Sequence, residues 1–236
     1  MNGEPCELSF RGAGSNSPRE NGFEIIVAPD MDSSPGFLAV NSGETMLRLG
    51  ENSHLCVVCP GFIGVSAPLE ARRPIAAGVL TVSDKGSRGD RVDTSGPALV
   101  DLVTAIGSDV KKTAIVPDDR GEIAATLIEW IENDRLDLIL TTGGTGLSER
   151  DVTPEALMDI HDRIVPGFGE IMRSHAMLYT PRGFLSRSVA VVRGHTLIIA
   201  FPGSERAVKQ CFEVIAPALR HGVATLGGWD SECGGH

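Results

Sequence analysis

The stretch Leu138-Ile-Leu-Thr-Thr-Gly-Gly-Thr-Gly146 joins an apolar run directly to a glycine-rich turn. Shortly after it comes Arg150-Asp-Val-Thr-Pro-Glu155, in which an acid precedes a threonine and a proline suited to begin a helix. Glycine permits positive φ angles and a close approach of backbone to ligand, and consecutive free N–H groups form an anion-binding concavity. The pattern therefore predicts a buried strand whose carboxyl end carries a phosphate or nucleotide site. An ordinary strand-to-helix loop with sharp geometry is the alternative.

The composition is that of an ordinary globular protein. The chain has 236 residues, of which 42% are hydrophobic and 22% are charged, and this length suits one large domain or one domain with a smaller appendage. The net charge of -10 argues against a nucleic-acid-binding surface. No stretch approaches the length of a membrane span, the first residues lack a signal-peptide pattern, and the five cysteines suggest no disulfide framework. We therefore expect a cytoplasmic protein with no nucleic-acid or membrane partner.

The sequence changes character near Leu69-Glu-Ala-Arg-Arg-Pro74. Before this segment, short β-favouring runs alternate with Gly, Pro, Asn and Ser, and no useful helical period occurs. The runs are 23–27, 37–40, 45–49, 54–58 and 62–65. We therefore predict a short β-rich N-terminal segment of unknown role over residues 1–72, with about the first 20 residues mobile, followed by a larger domain over residues 73–236.

Strands and helices alternate after residue 74. Runs of apolar residues predict the strands, and apolar residues at helical spacing predict the helices between them. The predicted strands are 75–82, 110–116, 136–142, 189–192 and 197–201, and the predicted helices are 94–106, 121–133, 154–161, 167–178 and 205–221. Arg193-Gly-His-Thr196 joins the last two strands in a hairpin-like connection. This order predicts a layered α/β domain with a largely parallel sheet.

Ligands of such sheets bind at the carboxyl ends of the strands, and the most informative loops fall there. These loops are Ser83-Asp84-Lys85, Pro117-Asp118-Asp119, the Gly143–Gly146 turn and Pro202-Gly203-Ser204. We therefore expect one site that draws on four loops far apart in the sequence.

The ordered set of short strings around these loops resembles the molybdopterin adenylyltransferase family, of the MogA and MoaB type, whose fold also occurs in the gephyrin G domain. The strings are Gly78-Val-Leu-Thr-Val-Ser-Asp84, Asp93-Thr-Ser-Gly-Pro97, Val116-Pro-Asp-Asp119, Thr142-Gly-Gly-Thr-Gly146, Arg150-Asp-Val-Thr-Pro-Glu155, Pro166-Gly-Phe-Gly-Glu170, Leu185-Ser-Arg187 and Phe201-Pro-Gly203. The resemblance implies a three-layer α/β/α domain, commonly a homotrimer. It also implies transfer of AMP from Mg-ATP to the terminal phosphate of molybdopterin, with release of pyrophosphate. The adenylated pterin would then pass to the enzyme that inserts molybdenum.

The resemblance assigns catalysis to the acids of the Val-Pro-Asp and Arg-Asp-Val-Thr-Pro strings, which are Asp118 and Asp151 here. Both could hold Mg2+, which prefers one or two carboxylates together with substrate phosphates. The attacking pterin phosphate is already anionic, so positioning and charge neutralisation matter more than a general base. The structural alternative is that Asp119 caps the following helix and that Asp151 caps the helix beginning at Thr153.

Nucleotide or pterin contacts are expected at a further set of positions. They are Ser83, Asp84, Gly143, Gly144, Thr145, Gly146, Ser186, Ser188, Pro202, Gly203 and Ser204. The backbone N–H groups of the glycine turn suit phosphate oxygens. For Asp84 the alternative is a turn former, and for the serines beside Arg187 it is a solvated turn.

Three arginines could meet phosphates or could simply be solvated. They are Arg150, Arg173 and Arg187. Relatives often carry Asn and Pro where this chain has Ala200 and Glu205. This departure bears directly on the pterin contacts expected around Ser204.

The pair Cys56-Val-Val-Cys59, with His54 nearby, has the spacing of zinc ligands. A structural zinc site needs four ligands, and no second pair of cysteine or histidine residues lies near it in the sequence. We therefore interpret the cysteines as small buried side chains.

Two other functions compete with adenylyl transfer. The same domain could hold molybdopterin without turnover, as a scaffold or delivery module, or it could act on another nucleotide, as in pyrophosphatase-type relatives of the fold. Asp118 and Asp151 favour adenylyl transfer over the scaffold, and the Arg-Asp-Val-Thr-Pro and Leu-Ser-Arg strings weigh against the other nucleotide. The segment 1–72 has the position of the MOSC domain found in some relatives, but it is too short and shows no motif match.

Overall fold

The computed structural model describes residues 9–12, 24–27, 37–40, 44–49, 55–57 and 70–229. The chain divides into two compact units, Met1–Pro74 and Ile75–His236. The strands of the first unit are β1 (Ser9–Gly12), β2 (Glu24–Val27), β3 (Phe37–Val40), β4 (Glu44–Leu49), β5 (Leu55–Val57) and β6 (Glu70–Arg72). Strands β1 and β2 pair in parallel, whereas the other four form an antiparallel sheet in the order β5-β4-β3-β6.

Four of the five β-favouring runs predicted before residue 70 contain a strand of the first unit. The fifth run, 62–65, lies outside the described residues, as does most of the N-terminal stretch expected to be mobile. Within that stretch Ser9–Gly12 is a strand. Of the three residues considered for zinc, Cys56 lies in β5, and His54 and Cys59 fall outside the described residues.

The second unit alternates strands and helices around a six-stranded sheet. Its strands are β7 (Ile75–Val82), β8 (Ser108–Val116), β9 (Leu138–Thr142), β10 (Arg163–Ile164), β11 (Ala190–Arg193) and β12 (Thr196–Phe201). Its helices are α1 (Asp84–Ser87), α2 (Ser95–Ala105), α3 (Arg120–Glu132), α4 (Thr153–Ile160), α5 (Pro166–Ala176), a 3-10 helix (Pro181–Leu185) and α6 (Glu205–Gly227).

The strands of this sheet follow the order β10-β11-β12-β9-β7-β8. Strands β12, β9, β7 and β8 are parallel, and β11 pairs antiparallel with β12 through the predicted hairpin-like connection. Strand β10 pairs antiparallel with β11 at the other edge. The prediction of a largely parallel sheet is therefore confirmed.

Hydrophobic cores cover both faces of the sheet. On one face, Leu99 of α2 packs in a core with Leu140 of β9, and residues of α5 and α6 complete it. On the other face, Ile123 of α3 and Leu157 of α4 pack with Ile139. All five side chains are 0% exposed, and burial of one such side chain stabilises the fold by about 1.5 to 3 kcal/mol. The predicted three-layer α/β/α architecture is thus confirmed.

The last helix is longer than its pattern predicted. It was expected to end at His221, just before Gly222, but α6 continues to Gly227 and ends where Gly228 takes the left-handed conformation with φ 69°. A glycine inside a helix costs only about 1 kcal/mol relative to alanine, and burial of Val223 at 0% exposure supports the extra turns. Among the described residues, no helix is long and apolar enough to cross a membrane.

Candidate active site

Two adjoining cavities lie at the carboxyl ends of the parallel strands. The first, of about 440 Å³, is lined by the residues that end or follow β7, β8, β9 and β12. The second, of about 530 Å³, is lined by residues 144–146 of the glycine turn, Asp151, Arg182, Leu185 and Ser186. Gly144, Gly203 and Ser204 line both. The two cavities therefore share a wall, and the predicted loops do converge there.

The glycine turn after β9 has a conformation that side chains do not tolerate. Gly143 and Gly144 have φ angles of 102° and 61°. A Cβ on Gly143 would lie 2.1 Å from the carbonyl oxygen of Val82, and a Cβ on Gly144 would lie 2.3 Å from Thr153 Oγ1. The need for glycine at both positions is therefore steric as well as conformational.

Hydrogen bonds hold this turn from two sides. Thr153 Oγ1 donates to the carbonyl of Gly143 at 2.8 Å, and the Thr153 N–H donates to the carbonyl of Gly144 at 3.1 Å. The Gly143 N–H donates to the carbonyl of Phe201 at 3.2 Å. Because that N–H is already paired, the anion-binding groups of the turn are reduced to the N–H groups from Gly144 onward.

Arg187 anchors the same turn instead of facing a ligand. Its Nε donates to the carbonyl of Gly146 at 2.7 Å, its Nη1 pairs with the carboxylate of Glu155, and its Nη2 donates to the carbonyl of Asp151. Burial raises the pKa of Glu155, but the hydrogen bond and charge of Arg187, a backbone hydrogen bond and the charge of Arg120 together outweigh it, so the pKa lies below its usual value. The expectation that Arg187 meets a phosphate is therefore not supported, since its guanidinium is used within the protein.

Arg173 is also used internally. Its Nη1 donates to the carbonyl of Ser188 at 2.8 Å and lies 3.4 Å from that of Ser186. Ser188 is only 3% exposed and lines neither of the two cavities, whereas Ser186 lines the second. The hydroxyl groups of the two serines lie 2.9 Å apart, so Ser186 borders the second cavity and the buried Ser188 hydrogen-bonds to it.

Asp84 and Asp118, which follow β7 and β8, are joined by two reciprocal hydrogen bonds. The Asp84 N–H donates to Asp118 Oδ2 at 2.8 Å, and the Asp118 N–H donates to Asp84 Oδ1 at 3.1 Å. Arg150 donates to Asp84 Oδ2 through Nε at 3.1 Å and Nη2 at 2.6 Å, and this hydrogen bond is the main reason that the pKa of Asp84 is lowered. Of the two acids, Asp118 lines the first cavity and Asp84 lines neither.

The electrostatic surroundings of Asp118 differ from those of Asp84. Burial raises the pKa of Asp118 above its ordinary value, and the charges of Asp84 and Asp151 act in the same direction. The hydrogen bond from the Asp84 N–H and the charge of Arg150 oppose this shift without cancelling it. Asp118 is therefore a carboxylate whose ionised form a bound cation would favour.

The two capping hypotheses have opposite outcomes. Asp119 Oδ1 accepts from the N–H groups of Gly121 and Glu122 in the first turn of α3, both at 2.9 Å. Its role as the helix cap is therefore confirmed. The cap hypothesis for Asp151 is wrong, because α4 begins after Val152 and has no side-chain cap. The carboxylate of Asp151 instead accepts from the Ser148 N–H at 2.9 Å and lines the second cavity. This position leaves it free for a role toward a ligand.

Two arginines that sequence reasoning passed over line the cavities. Arg91 lines the first and Arg182 lines the second, and both are exposed. Neither belongs to a recognisable string: Arg91 lies in the loop before α2, and Arg182 lies in the 3-10 helix that ends at Leu185. Arg150, one of the three arginines predicted to meet a phosphate or solvent, is 65% exposed and pairs with Asp84.

Asp93 holds the segment between β7 and α2 through its carboxylate, a role that its string in the sequence does not indicate. Its carboxylate accepts from Thr81 Oγ1 at 2.6 Å, from the N–H and Oγ of Ser95 at 3.0 Å, and from the Gly96 N–H at 3.0 Å. Burial raises the pKa of Asp93, but the four hydrogen bonds together lower it by more, so the pKa lies below the ordinary 3.8. Asp93 thus fixes the start of α2 against β7, beside the first cavity.

The remaining predicted positions fall around the shared wall. Ser83 and Gly143 line the first cavity, whereas Thr145, Gly146 and Pro202 line the second. Ser204, in the wall itself, also begins α6, because its Oγ accepts from the Ala207 N–H at 3.3 Å. In the described part of the chain, no cluster of three or more His, Cys, Asp or Glu side chains is arranged to hold a metal ion.

Residues 78–221 match the protein family described as "Probable molybdopterin binding domain". The chain belongs to the molybdopterin-binding domain family. This match covers the whole of the sheet after the first residues of β7 and both cavities, so the predicted resemblance is confirmed.

Curated members of this family include enzymes and longer proteins. The molybdopterin adenylyltransferase of Helicobacter pylori J99 is 38% identical over 151 residues, which are 63% of this chain and 86% of that enzyme. The molybdenum cofactor synthesis protein cinnamon of Drosophila melanogaster is 40% identical over 154 residues, which are 65% of this chain and 26% of that protein. The chain thus matches nearly all of the bacterial enzyme and about a quarter of the insect protein.

A solved structure of the family has the same fold. The molybdopterin biosynthesis enzyme MoaB from Thermus thermophilus is 44% identical, with a TM-score of 0.62 over 65% of this chain and 97% of that chain. The residues that match the family, 78–221, lie within the second unit of this chain.

Proposed function

We propose that this chain is a molybdopterin adenylyltransferase, which transfers AMP from Mg-ATP to the terminal phosphate of molybdopterin and releases pyrophosphate. The observation that carries the proposal is the pair of cavities with a common wall of Gly144, Gly203 and Ser204. Both volumes suit small-molecule sites, which span about 300 to 1,000 Å³. The nucleotide occupies the first cavity, the pterin occupies the second, and the reacting phosphates meet at the wall. The 38% identity to the Helicobacter pylori enzyme supports this function.

The chemistry asks the protein mainly to position two anions. A pterin phosphate oxygen forms a bond to the α-phosphorus of ATP, the bond from that phosphorus to the bridging oxygen breaks, and its electron pair leaves with pyrophosphate. The N–H groups of Gly144, Thr145 and Gly146 donate to no other described residue. Because the turn is fixed by Thr153 and Arg187 before substrate binds, these donors stabilise transferring phosphate charge without reorganisation.

The carboxylates of Asp118 and Asp151 would hold Mg2+ in this scheme. They line the first and the second cavity respectively, so they flank the shared wall. Two acids with substrate phosphates are the usual ligands of Mg2+ in phosphoryl transfer, and the donor set fits this ion. When bound, the ion neutralises charge on the phosphates. The raised pKa of Asp118 also supports Mg2+ binding. Burial disfavours the ionised carboxylate, and a bound cation would stabilise it.

We further propose that the protein works as a homotrimer in the cytoplasm and passes its product to the molybdenum-insertion enzyme. Exposed apolar side chains between α5 and the end of the 3-10 helix support self-association: Met177 is 55% exposed, Leu178 is 77% exposed and Phe184 is 59% exposed. Apolar side chains gathered in this way are typical of protein interfaces. Leu185, next to Phe184, lines the second cavity, so a neighbouring subunit would border the pterin.

One assay tests the function directly. The purified full chain is incubated with molybdopterin, ATP and Mg2+, and both pyrophosphate and adenylated pterin are measured. We expect the two products in equal amounts. Pterin binding without pyrophosphate would overturn the proposal in favour of a scaffold or delivery module, and pyrophosphate released without molybdopterin would point to hydrolysis of the nucleotide.

The neighbours Asp118 and Asp119 provide a matched pair for the catalytic assignment. Asp118→Asn removes a charge that faces the first cavity, and one such charge is worth on the order of 3 kcal/mol in a transition state, or about a hundredfold in rate. Asp119→Asn keeps a good helix cap and should leave the rate unchanged. Adenylation rate and melting temperature are measured for both, and Asp151→Asn is expected to behave like Asp118→Asn. Equal rates for the two neighbours would remove Asp118 from catalysis.

A further inference from the structure

The first cavity has an unusual balance of charge for a site that would take ATP. Its described lining contains three carboxylates, Asp93, Asp118 and Glu205, and a single cationic side chain, Arg91. A nucleoside triphosphate is strongly anionic, so three carboxylates alone would repel it. Arg91 is therefore the one side chain of the described lining that attracts the ligand by charge.

The carboxylates of this lining already have partners. Asp93 accepts from Thr81 Oγ1 at 2.6 Å, and Glu205 Oε1 accepts from Lys209 Nζ at 2.7 Å. Arg91 is exposed, and within residues 73–229 it makes no ion pair or side-chain hydrogen bond. Its five N–H donors are thus available to a ligand.

Arg88, in the same loop between α1 and α2, is a natural comparison. It pairs with Asp90 at 3.2 Å, and it lines neither cavity. Arg91 differs from it in both respects, although both are exposed arginines three residues apart. Within the described chain segments, Arg91 is therefore an unpaired cation that faces the first cavity, whereas Arg88 is paired with Asp90 outside it.

The position of Arg91 indicates which part of the nucleotide it would meet. It lines the first cavity from the loop between α1 and α2, whereas the shared wall of Gly144, Gly203 and Ser204 follows β9 and β12. Asp118 lies at that wall, because a Cβ on Gly144 would lie 3.3 Å from Asp118 Oδ1. The reacting α-phosphate must lie at that wall, and the β- and γ-phosphates extend from it into the first cavity. A guanidinium binds phosphate oxygens through paired hydrogen bonds, which suits this part of ATP.

We propose that Arg91 binds the β- and γ-phosphates of ATP and stabilises the pyrophosphate that leaves, an inference that rests on the proposed adenylyl transfer. When the bond between the α-phosphorus and the bridging oxygen breaks, the electron pair and the added negative charge go to pyrophosphate. Arg91 meets this developing charge, while the carboxylates Asp118 and Asp151 remain on the side of the shared wall. Arg91 is then a residue that distinguishes ATP from AMP.

Calorimetric binding of three probes tests the inference: ATP with Mg2+, pyrophosphate with Mg2+, and AMP. In Arg91→Gln we expect ATP and pyrophosphate to bind about tenfold more weakly or worse, as for loss of a charged hydrogen bond, while AMP affinity stays unchanged. Arg88→Gln is the matched control and should bind all three as the wild type does. Arg91→Lys keeps the positive charge but lacks the paired N–H donors of the guanidinium, so it should recover part of the ATP affinity.

The outcomes separate this inference from the function on which it rests. ATP affinity in Arg91→Gln equal to that of wild type, or an equal loss for ATP and AMP, overturns the role of Arg91. If the wild type binds ATP and pyrophosphate as expected but never adenylates molybdopterin, the proposed function fails and the assignment of Arg91 stands. Melting temperatures of the variants show that each remains folded, as expected for an exposed side chain.

Discussion

Thr141 and Thr142 are consecutive buried residues of β9, but only one of their hydroxyl groups is hydrogen-bonded. Thr142 Oγ1 donates to the carbonyl of Pro202 at 2.8 Å, whereas Thr141 Oγ1 is buried and has no hydrogen-bond partner among the described residues. Valine has nearly the same shape as threonine and no polar atom to bury. We expect Thr141→Val to raise the free energy of unfolding by about 1 kcal/mol and Thr142→Val to lower it by a similar amount. Urea denaturation of both variants checks this, and changes of the same sign would contradict it.

Gly144 and Gly194 form a second pair with matched backbones. Their φ angles are 61° and 56°, but a Cβ on Gly144 would lie 2.3 Å from Thr153 Oγ1, whereas a Cβ on Gly194 would meet nothing within 4 Å. Alanine costs about 1 to 2 kcal/mol in the left-handed region at either site. We expect Gly144→Ala to lose clearly more stability than Gly194→Ala, because only the first must also displace Thr153. Thermal unfolding of the two variants measures the difference. Equal losses would show that Thr153 and the turn shift at little cost to accommodate the Cβ.

Single residues of the site differ in how far the sequence could predict them. The glycine turn, Asp118 and Asp151 belong to strings whose spacing points to phosphate chemistry, and they do line the cavities. Arg91 and Arg182 belong to no such string. Their positions depend on the path of the loop before α2 and on the placement of the 3-10 helix, which only the packed structure determines. Sequence reasoning could recognise arginine as a phosphate ligand, but it could not separate an arginine that faces a cavity from one bound to its own backbone.

At the scale of elements, Asp93 joins β7 to the start of α2. Asp93→Ala removes the four hydrogen bonds that its carboxylate accepts, and we expect a loss of about 2 kcal/mol at pH 7. Because the folded pKa lies below 3.8, this stabilisation is complete above the unfolded value and is lost as the pH falls through the folded one. The difference between wild type and variant in urea denaturation should therefore shrink below pH 3.8.

A control for this prediction lies in the same loop. Asp90 pairs with Arg88, and both side chains are 61% exposed. Asp90→Ala should change stability by less than about 1 kcal/mol, because solvent screens exposed ion pairs. If Asp90→Ala and Asp93→Ala lost equal stability, the effect would belong to the loop as a whole and the capping role of Asp93 would be lost.

The longer elements were predictable, and the shortest were not. Apart from the end of α6, the main strands and helices of the second unit were predicted within about two residues, because each has enough apolar residues to show a period. α1, β10 and the 3-10 helix span four, two and five residues, and segments of that length show no period. α1 depends on Ser83, which accepts from the Gly86 N–H, and on the two reciprocal hydrogen bonds between Asp84 and Asp118. Such contacts between distant residues are absent from a local pattern.

For the whole molecule, we predict that residues 73–236 fold and assemble without residues 1–72. The two hydrophobic cores described above are built from residues of the second unit, beginning with Ile75. Light scattering coupled to size exclusion should give the same oligomer for the truncated and full chains, and urea should unfold the truncated chain in one transition. An insoluble or monomeric product would show that the N-terminal segment is integral to the fold.

The six-stranded sheet ends in two strands that protect it against open-ended pairing with other copies. An unpaired strand edge invites another chain to extend the sheet, and proteins discourage this with short strands or with lysines. One edge, β10, has two residues, and the other, β8, carries Lys111 and Lys112 with side chains 54% and 41% exposed. A second copy that approached β8 would have to bury these ammonium groups. Fibre growth along the sheet is therefore disfavoured at both edges, and self-association is left to side-chain packing, which can close into an assembly of fixed size.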